Sequence, residues 1–238
     1  MNKKFVGKFR VFSLIIGMFF LSACATTGAL DDRDPWEGFN RGVYSFNQTM
    51  DDFLFDPIGE GYNFIMPEFL DTGISNFFSN IGQVPVIAND ILQFKFDQAV
   101  NDIVRFFLNS TFGLLGFFDI STEAGLPSSK ADFGQTLAHY GVDSGPYLVV
   151  PFLGPATVRH AAGFAVDGAL NPIFYIDNDM TKAGLLTLSF IDVKSDILSA
   201  VDLLEEAAVD KYEFTKNAYF EKRMNKISGK VFSDYSEE

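Results

Sequence analysis

Apolar positions along this chain recur at intervals of three and four residues through most of its length, the period of a half-buried helix. Asp34-Pro35-Trp36-Glu37 predicts the first helix start, with Asp34 as the cap and Pro35 in the first turn. That helix runs through Phe39, Val43, Phe46 and Met50 to about Phe55, where Asp56-Pro57-Ile58-Gly59 is expected to break it. Further helices are predicted over 67–81, 84–94, 97–118, 157–170 and 180–191. The segments 125–130 and 141–155 are rich in Gly and Pro and read as loops, with Tyr147–Val150 as a short strand. A last amphipathic helix carries Ile197, Val201, Leu204, Ala208, Tyr212, Thr215 and Tyr219 on one side. Its other side holds Glu205, Glu206, Asp210, Glu213, Lys216 and Glu221 and is expected to face solvent.

One helix departs from the usual balance. Between Arg105 and Asp119 lie thirteen residues without an ionisable side chain. On a helical wheel Asp102, Arg105, Asn109, Gly113 and Gly116 form one narrow stripe, polar or small. Phe107, Leu108, Phe112, Leu114, Leu115, Phe117 and Phe118 fill most of the remaining arc. Periodicity alone admits two settings for such a helix: the centre of a globular core, or lipid. It covers only about 20 Å, against a hydrocarbon core of about 30 Å, so in a membrane it lies flat or dips rather than spans. Segments 184–191 and 161–176 are similarly apolar, more greasy faces than one small core readily uses.

The beginning of the chain favours the membrane. Lys3, Lys4, Lys8 and Arg10 precede an apolar run from Val11 to Leu21, and Leu21-Ser22-Ala23-Cys24 closes it as a lipobox. The expected organisation is a lipoprotein signal peptide over 1–23, an acylated Cys24 with a linker to 33, one domain over 34–226, and a polar tail over 227–238. Ala25, where an Asp would retain an enteric lipoprotein at the inner membrane, points to the outer membrane. The linker holds the domain against that membrane. Cys24 is the sole cysteine, so no disulfide is available.

The net charge is −13, and the leader removes basic residues only. Nucleic acid is therefore a poor electrostatic partner. The chain contains neither G-x-S-x-G nor H-E-x-x-H, and its two histidines, His139 and His160, suggest no metal centre. No catalytic site, cofactor or metal is expected, and His139 is expected to pack beside Tyr140.

Four blocks resemble the MlaA (VacJ) family of outer-membrane lipoproteins: DPWEGFNRGVYSFN (34–47), RFFLNSTFGLLGFFDIS (105–121), DFGQTLAHYGVDSGPYLVVPFLGPATVR (132–159) and KNAYFEKR (216–223). The resemblance implies a mainly α fold, a single-domain ring of helices lying in the membrane plane around a central polar channel, with few or no short strands. It implies a function: phospholipids that stray into the outer leaflet are removed and passed to a soluble periplasmic carrier of the Mla system, beside a porin trimer. The third block departs from the family pattern, in which Arg159 would be followed by Asp; here His160 follows. Arg105 and Asn109 are candidates to line the headgroup path, although Arg105 equally suits an ion pair with Asp102. Gly141, Asp143, Gly145, Pro146 and Pro151 form a candidate gate loop, for which plain turn chemistry is the alternative reading. Two rival functions keep the anchor and change the role: a scaffold associated with porins, and a membrane-bound lipid hydrolase.

Overall fold

A computed structural model gives the fold of residues 31–228. The leader, Cys24, most of the linker and the tail beyond residue 228 lie outside the described residues.

The first helix does not stop at Asp56. Helix α1 (Glu37–Met50) passes through a π-helical turn (Asp51–Phe55) directly into α2 (Asp56–Ile65). Pro57 sits in the first turn of α2, directly after the π-helical turn, so the sequence that reads as a breaker lies within continuous helix. Predicted helices 67–81 and 84–94 are one helix, α3 (Glu68–Leu92), with Pro85 inside it. Helix α4 (Phe96–Thr111) ends seven residues before the expected end at 118. Leu114 (φ 51°), Leu115 (φ 59°) and Gly116 (φ 95°) then turn the chain through left-handed backbone into the short α5 (Ile120–Glu123). After α6 (Phe133–His139) come the strands β1 (Tyr147–Val150) and β2 (Gly154–Thr157), antiparallel, with Tyr147 opposite Thr157 and Val150 opposite Gly154. Helix α7 (Val158–Leu170) follows, capped by Thr157, and a 3-10 turn (Pro172–Tyr175) leads to α8 (Asp179–Ala207). The predicted final helix is broken at 208–210, so α8 and α9 (Lys211–Ser228) are separate.

The packing order closes on itself. Helix α2 lies against α8, α8 against α3, α3 against α6 and α7, α7 against the strands, and β1 against α1, which is continuous with α2. This cycle is the mainly helical, single-domain arrangement that the resemblance implies, with β1 at the expected Tyr147–Val150 and β2 in addition to it. Among the described residues, no helix is long and apolar enough to cross a membrane.

The burial pattern is inverted relative to a soluble domain. The buried residues of α3 are Gly73, Asn80, Gln83, Asn89 and Asp90; those of α4 are Ala99, Asp102, Arg105 and Asn109. Meanwhile Phe53, Phe64, Phe69, Phe107, Phe112 and Leu114 are exposed, Phe64 at 91%. Exposed apolar area on this scale marks an interaction surface rather than ordinary surface composition. The aromatic core that does exist is small: Tyr147, Val149, Tyr212 and Tyr219, where strand β1 meets α9.

Candidate functional site: a polar interior behind an apolar rim

The stripe predicted on α4 does face inward. Asp102, Arg105, Asn109, Gly113 and Gly116 are all buried, and Phe107, Phe112, Leu114, Leu115 and Phe118 are exposed. Leu108 is half-buried. Phe117, expected on the membrane side, instead lays its ring over Gly73 of α3, so close that a Cβ there would stand 2.1 Å from it. The wheel misplaces Phe117 because the helix has already ended six residues earlier, and beyond Thr111 the turn sets the side-chain directions.

Against that turn Arg105 and Asn109 of α4 form one network, which leaves the buried Arg105 Nε without a partner. Arg105 donates to the Asp119 carboxylate at 3.1 Å, to the Thr122 hydroxyl at 3.0 Å and to the Leu126 carbonyl. Asn109 donates to Asp119 at 2.9 Å and accepts from the Ser121 amide at 3.0 Å. Burial alone would raise the Asp119 carboxyl, yet hydrogen bonds from Thr122 and Asn109 outweigh it and hold the group below the usual carboxylate range. The partner of Arg105 is thus Asp119, not Asp102. Both candidate lining residues are almost wholly enclosed by protein, and their evident task is to fasten the turn.

Asp102 meets a different group. It accepts from the Ser129 amide at 3.3 Å, and Ser129 donates its hydroxyl to Asp90 of α3. Asp90 and Asp102 are both 0% exposed, and each keeps one oxygen without a hydrogen-bond partner. A second polar seam joins α2, α3 and α8, where Ser75 and Tyr62 donate to Asp192 at 3.0 and 3.4 Å. Burial raises the Asp192 carboxyl above its ordinary value. A third joins α3, α6 and α7: Asn89 donates to Asp167 at 2.7 Å and accepts from Thr136 at 2.7 Å.

The segment expected to act as a gate divides into two parts. Strand β1 is fixed by two asparagines of α1 that sequence reasoning passed over. Asn40 donates to the Tyr147 carbonyl at 3.1 Å and accepts from the Val149 amide at 2.9 Å. Seven residues on, Asn47 donates to the Val150 carbonyl at 3.0 Å and accepts from the Phe152 amide at 2.9 Å. Two side-chain amides, two helical turns apart, thereby pair with the strand as a third strand would. The signal was available: two Asn on one helical face among Val43 and Phe46. Gly141 (φ 79°), Asp143 and Gly145 (φ 65°) stand exposed outside this clamp, Pro146 enters the strand half-buried, and Pro151 is exposed in the hairpin turn.

Three of the four resembling blocks converge around α9. Asp34 is buried and does not cap α1; it accepts from Asn40 at 2.8 Å, from the Tyr212 hydroxyl at 2.5 Å and from Lys216 at 3.4 Å. Lys216, expected on the solvated face, is 1% exposed. Asp132, which caps α6, takes both Arg223 and Lys226; burial opposes ionisation, but Arg223 prevails and draws the carboxyl down to about 2. His160 approaches the Tyr219 hydroxyl at 3.1 Å, and burial lowers its pKa to about 4, so the ring is neutral near pH 7. His139 does pack edge-on against Tyr140, with ring centres 5.3 Å apart. Between α9, α7 and β2 lies an open cavity of about 570 Å³ with apolar walls and several cationic side chains in its lining.

Comparison with known proteins agrees with this arrangement. The family model described as MlaA lipoprotein matches residues 32–226. The intermembrane phospholipid transport system lipoprotein MlaA of Escherichia coli K12 is 33% identical over 221 residues, covering 90% of this chain and 87% of that protein. An uncharacterized protein of Rickettsia felis is 34% identical over 192 residues, covering 80% of this chain and 76% of its own length. A solved structure, from work on the structural basis for maintenance of bacterial outer membrane lipid asymmetry, is similar with a TM-score of 0.70 and 30% identity. That likeness covers 79% of this chain and 96% of the solved one. With its inverted burial, its closed cycle of helices and these relatives, the chain belongs to the MlaA lipoprotein family.

Proposed function

We propose that this chain is an outer-membrane lipoprotein, anchored through acylated Cys24 on the periplasmic side, that removes mislocalised phospholipids from the outer leaflet. It passes them through its polar interior to a soluble periplasmic carrier of the Mla system, beside a porin trimer, and so maintains lipid asymmetry. The observation that carries this reading is the inversion: Phe and Leu on the rim, Asn, Gln and Asp within. A leaflet solvates the rim, and each apolar side chain kept from water there contributes about 1.5–3 kcal/mol. A headgroup in transit needs polar groups in place of its water, which the interior of this fold carries and lipid tails do not. The exposed glycines at 141 and 145 lie in the segment before β1, the candidate gate, and Arg159 is its latch: it donates to the Val142 carbonyl from its side chain and to the Ser144 carbonyl from its amide. In this role Arg105 and Asn109 shape the channel wall by holding the turn that carries it.

The test is complementation. In cells lacking their own copy, the chain should lower the labelling of surface phosphatidylethanolamine by a membrane-impermeant amine reagent. Restoration without a rise in lysophospholipid supports transport. A rise in lysophospholipid would favour the hydrolase, and unchanged labelling with normal porin assembly would favour the scaffold.

A further inference from the structure

The cavity beside α9 has an unusual charge for this molecule. Phe164, Ile197 and Phe214 supply apolar wall, Lys222, Arg223 and Lys226 line it as well, and no Asp or Glu is among the described lining residues. The chain as a whole carries −13. One carboxylate, Asp132, serves both Arg223 and Lys226, at 2.5 and 3.4 Å. Lys222 has no acidic partner among the described residues. His160 on the wall is held neutral by burial, so it neither adds to nor cancels the excess. The site therefore joins apolar wall to unbalanced positive charge, the complement of an anionic amphiphile. Its volume of about 570 Å³ falls in the ordinary range for a small-molecule site.

We propose that this cavity holds the headgroup end of a phospholipid of net negative charge, of the phosphatidylglycerol class, in preference to a zwitterionic one. The proposal rests on the lipid-transport reading and adds a headgroup preference to it. A phosphodiester with neutral glycerol beyond it meets the cations without an opposing charge. An ethanolamine headgroup brings its own ammonium among the same cations and is repelled. Charge-assisted contacts are the strong ones.

The experiment uses the full acylated chain with p-benzoylphenylalanine at Phe214, or separately at Phe107 on the rim, in vesicles of equal phosphatidylglycerol and phosphatidylethanolamine. After irradiation, the captured lipid is identified by mass spectrometry. Position 214 should capture phosphatidylglycerol about tenfold over phosphatidylethanolamine, a ratio equivalent to one charge-assisted contact. Lys222→Glu should bring the ratio near one, and Lys222→Arg should keep it. Equal capture of both lipids at 214 in the parent chain overturns the preference and leaves transport standing. Capture at 107 but none at 214, or capture of the chain's own C-terminal segment at 214, overturns the site. No lipid at either position overturns the transport reading as well.

Discussion

The Tyr212 hydroxyl donates to the Asp34 carboxylate at 2.5 Å across 178 residues of sequence, and both groups are buried. Lys216, one turn further along α9, reaches the same carboxylate at 3.4 Å. The buried Asp34 carboxylate thus finds two of its partners on a helix from the far end of the chain. Tyr212→Phe should cost about 1–3 kcal/mol, because it removes one donor to a buried ion. Lys216→Met should cost more, about 3–5 kcal/mol, because it leaves the carboxylate without its counter-charge. Thermal unfolding of both variants in the same detergent checks the order; equal losses would count against it.

The asparagine clamp makes a local prediction. Asn40→Leu leaves the Val149 amide and Tyr147 carbonyl buried without partners, an expected loss of about 1–3 kcal/mol for each unsatisfied group. Asn47→Leu should cost less, since the turn it holds, at Pro151 and Phe152, is exposed to solvent. Hydrogen exchange at the Val149 amide should quicken sharply in the first variant and little in the second.

The turn after α4 admits no added Cβ. At Gly113 that atom would lie 2.2 Å from the Phe118 carbonyl and 2.6 Å from the Asn109 carbonyl, both backbone. At Gly73 it would instead strike the Phe117 ring, a side chain. Gly113→Ala should therefore cost about 3 kcal/mol or more, with no single compensating change. Gly73→Ala should be partly rescued by Phe117→Leu, which shortens the obstructing side chain. Unfolding midpoints of the two single variants and the double variant test the contrast.

Asp90 gives a pH dependence with a definite sign. Burial raises its carboxyl to about 6, with the neighbouring Asp102 adding to the rise while Ser129 and Lys95 oppose it. The folded state then holds this proton more tightly than the unfolded chain does. Its contribution is complete below the ordinary carboxylate value of 3.8 and is lost as pH rises through about 6. Asp90→Asn removes the titration. The variant should unfold at a higher temperature than the parent at pH 8 and at nearly the same temperature at pH 4. An equal gap at both pH values would show that the carboxyl does not titrate in that window.

What the sequence determined by itself was direction. Spacing on one helix placed Asp102, Arg105 and Asn109 inward and Phe107 and Phe112 outward, because a regular helix converts sequence interval into angle without reference to any partner. The lipobox at Cys24 and the acidic balance are likewise properties of the covalent chain. What only the tertiary structure decided was pairing and termination. Asp56-Pro57 continues a helix because α8 supports α2, whereas the unbroken pattern over 97–118 yields at Thr111 because Gly73 and Asn80 of α3 receive Phe117 and Gly116. Asp34 reads as a cap and is an ion-pair partner, Lys216 reads as surface and is enclosed, and Asn40 and Asn47 share a helix face that does not say which strand they grip. The pairings of Asp34, Lys216, Asn40 and Asn47 each span more than a hundred residues, and a local pattern cannot encode which distant group will satisfy a buried charge or amide.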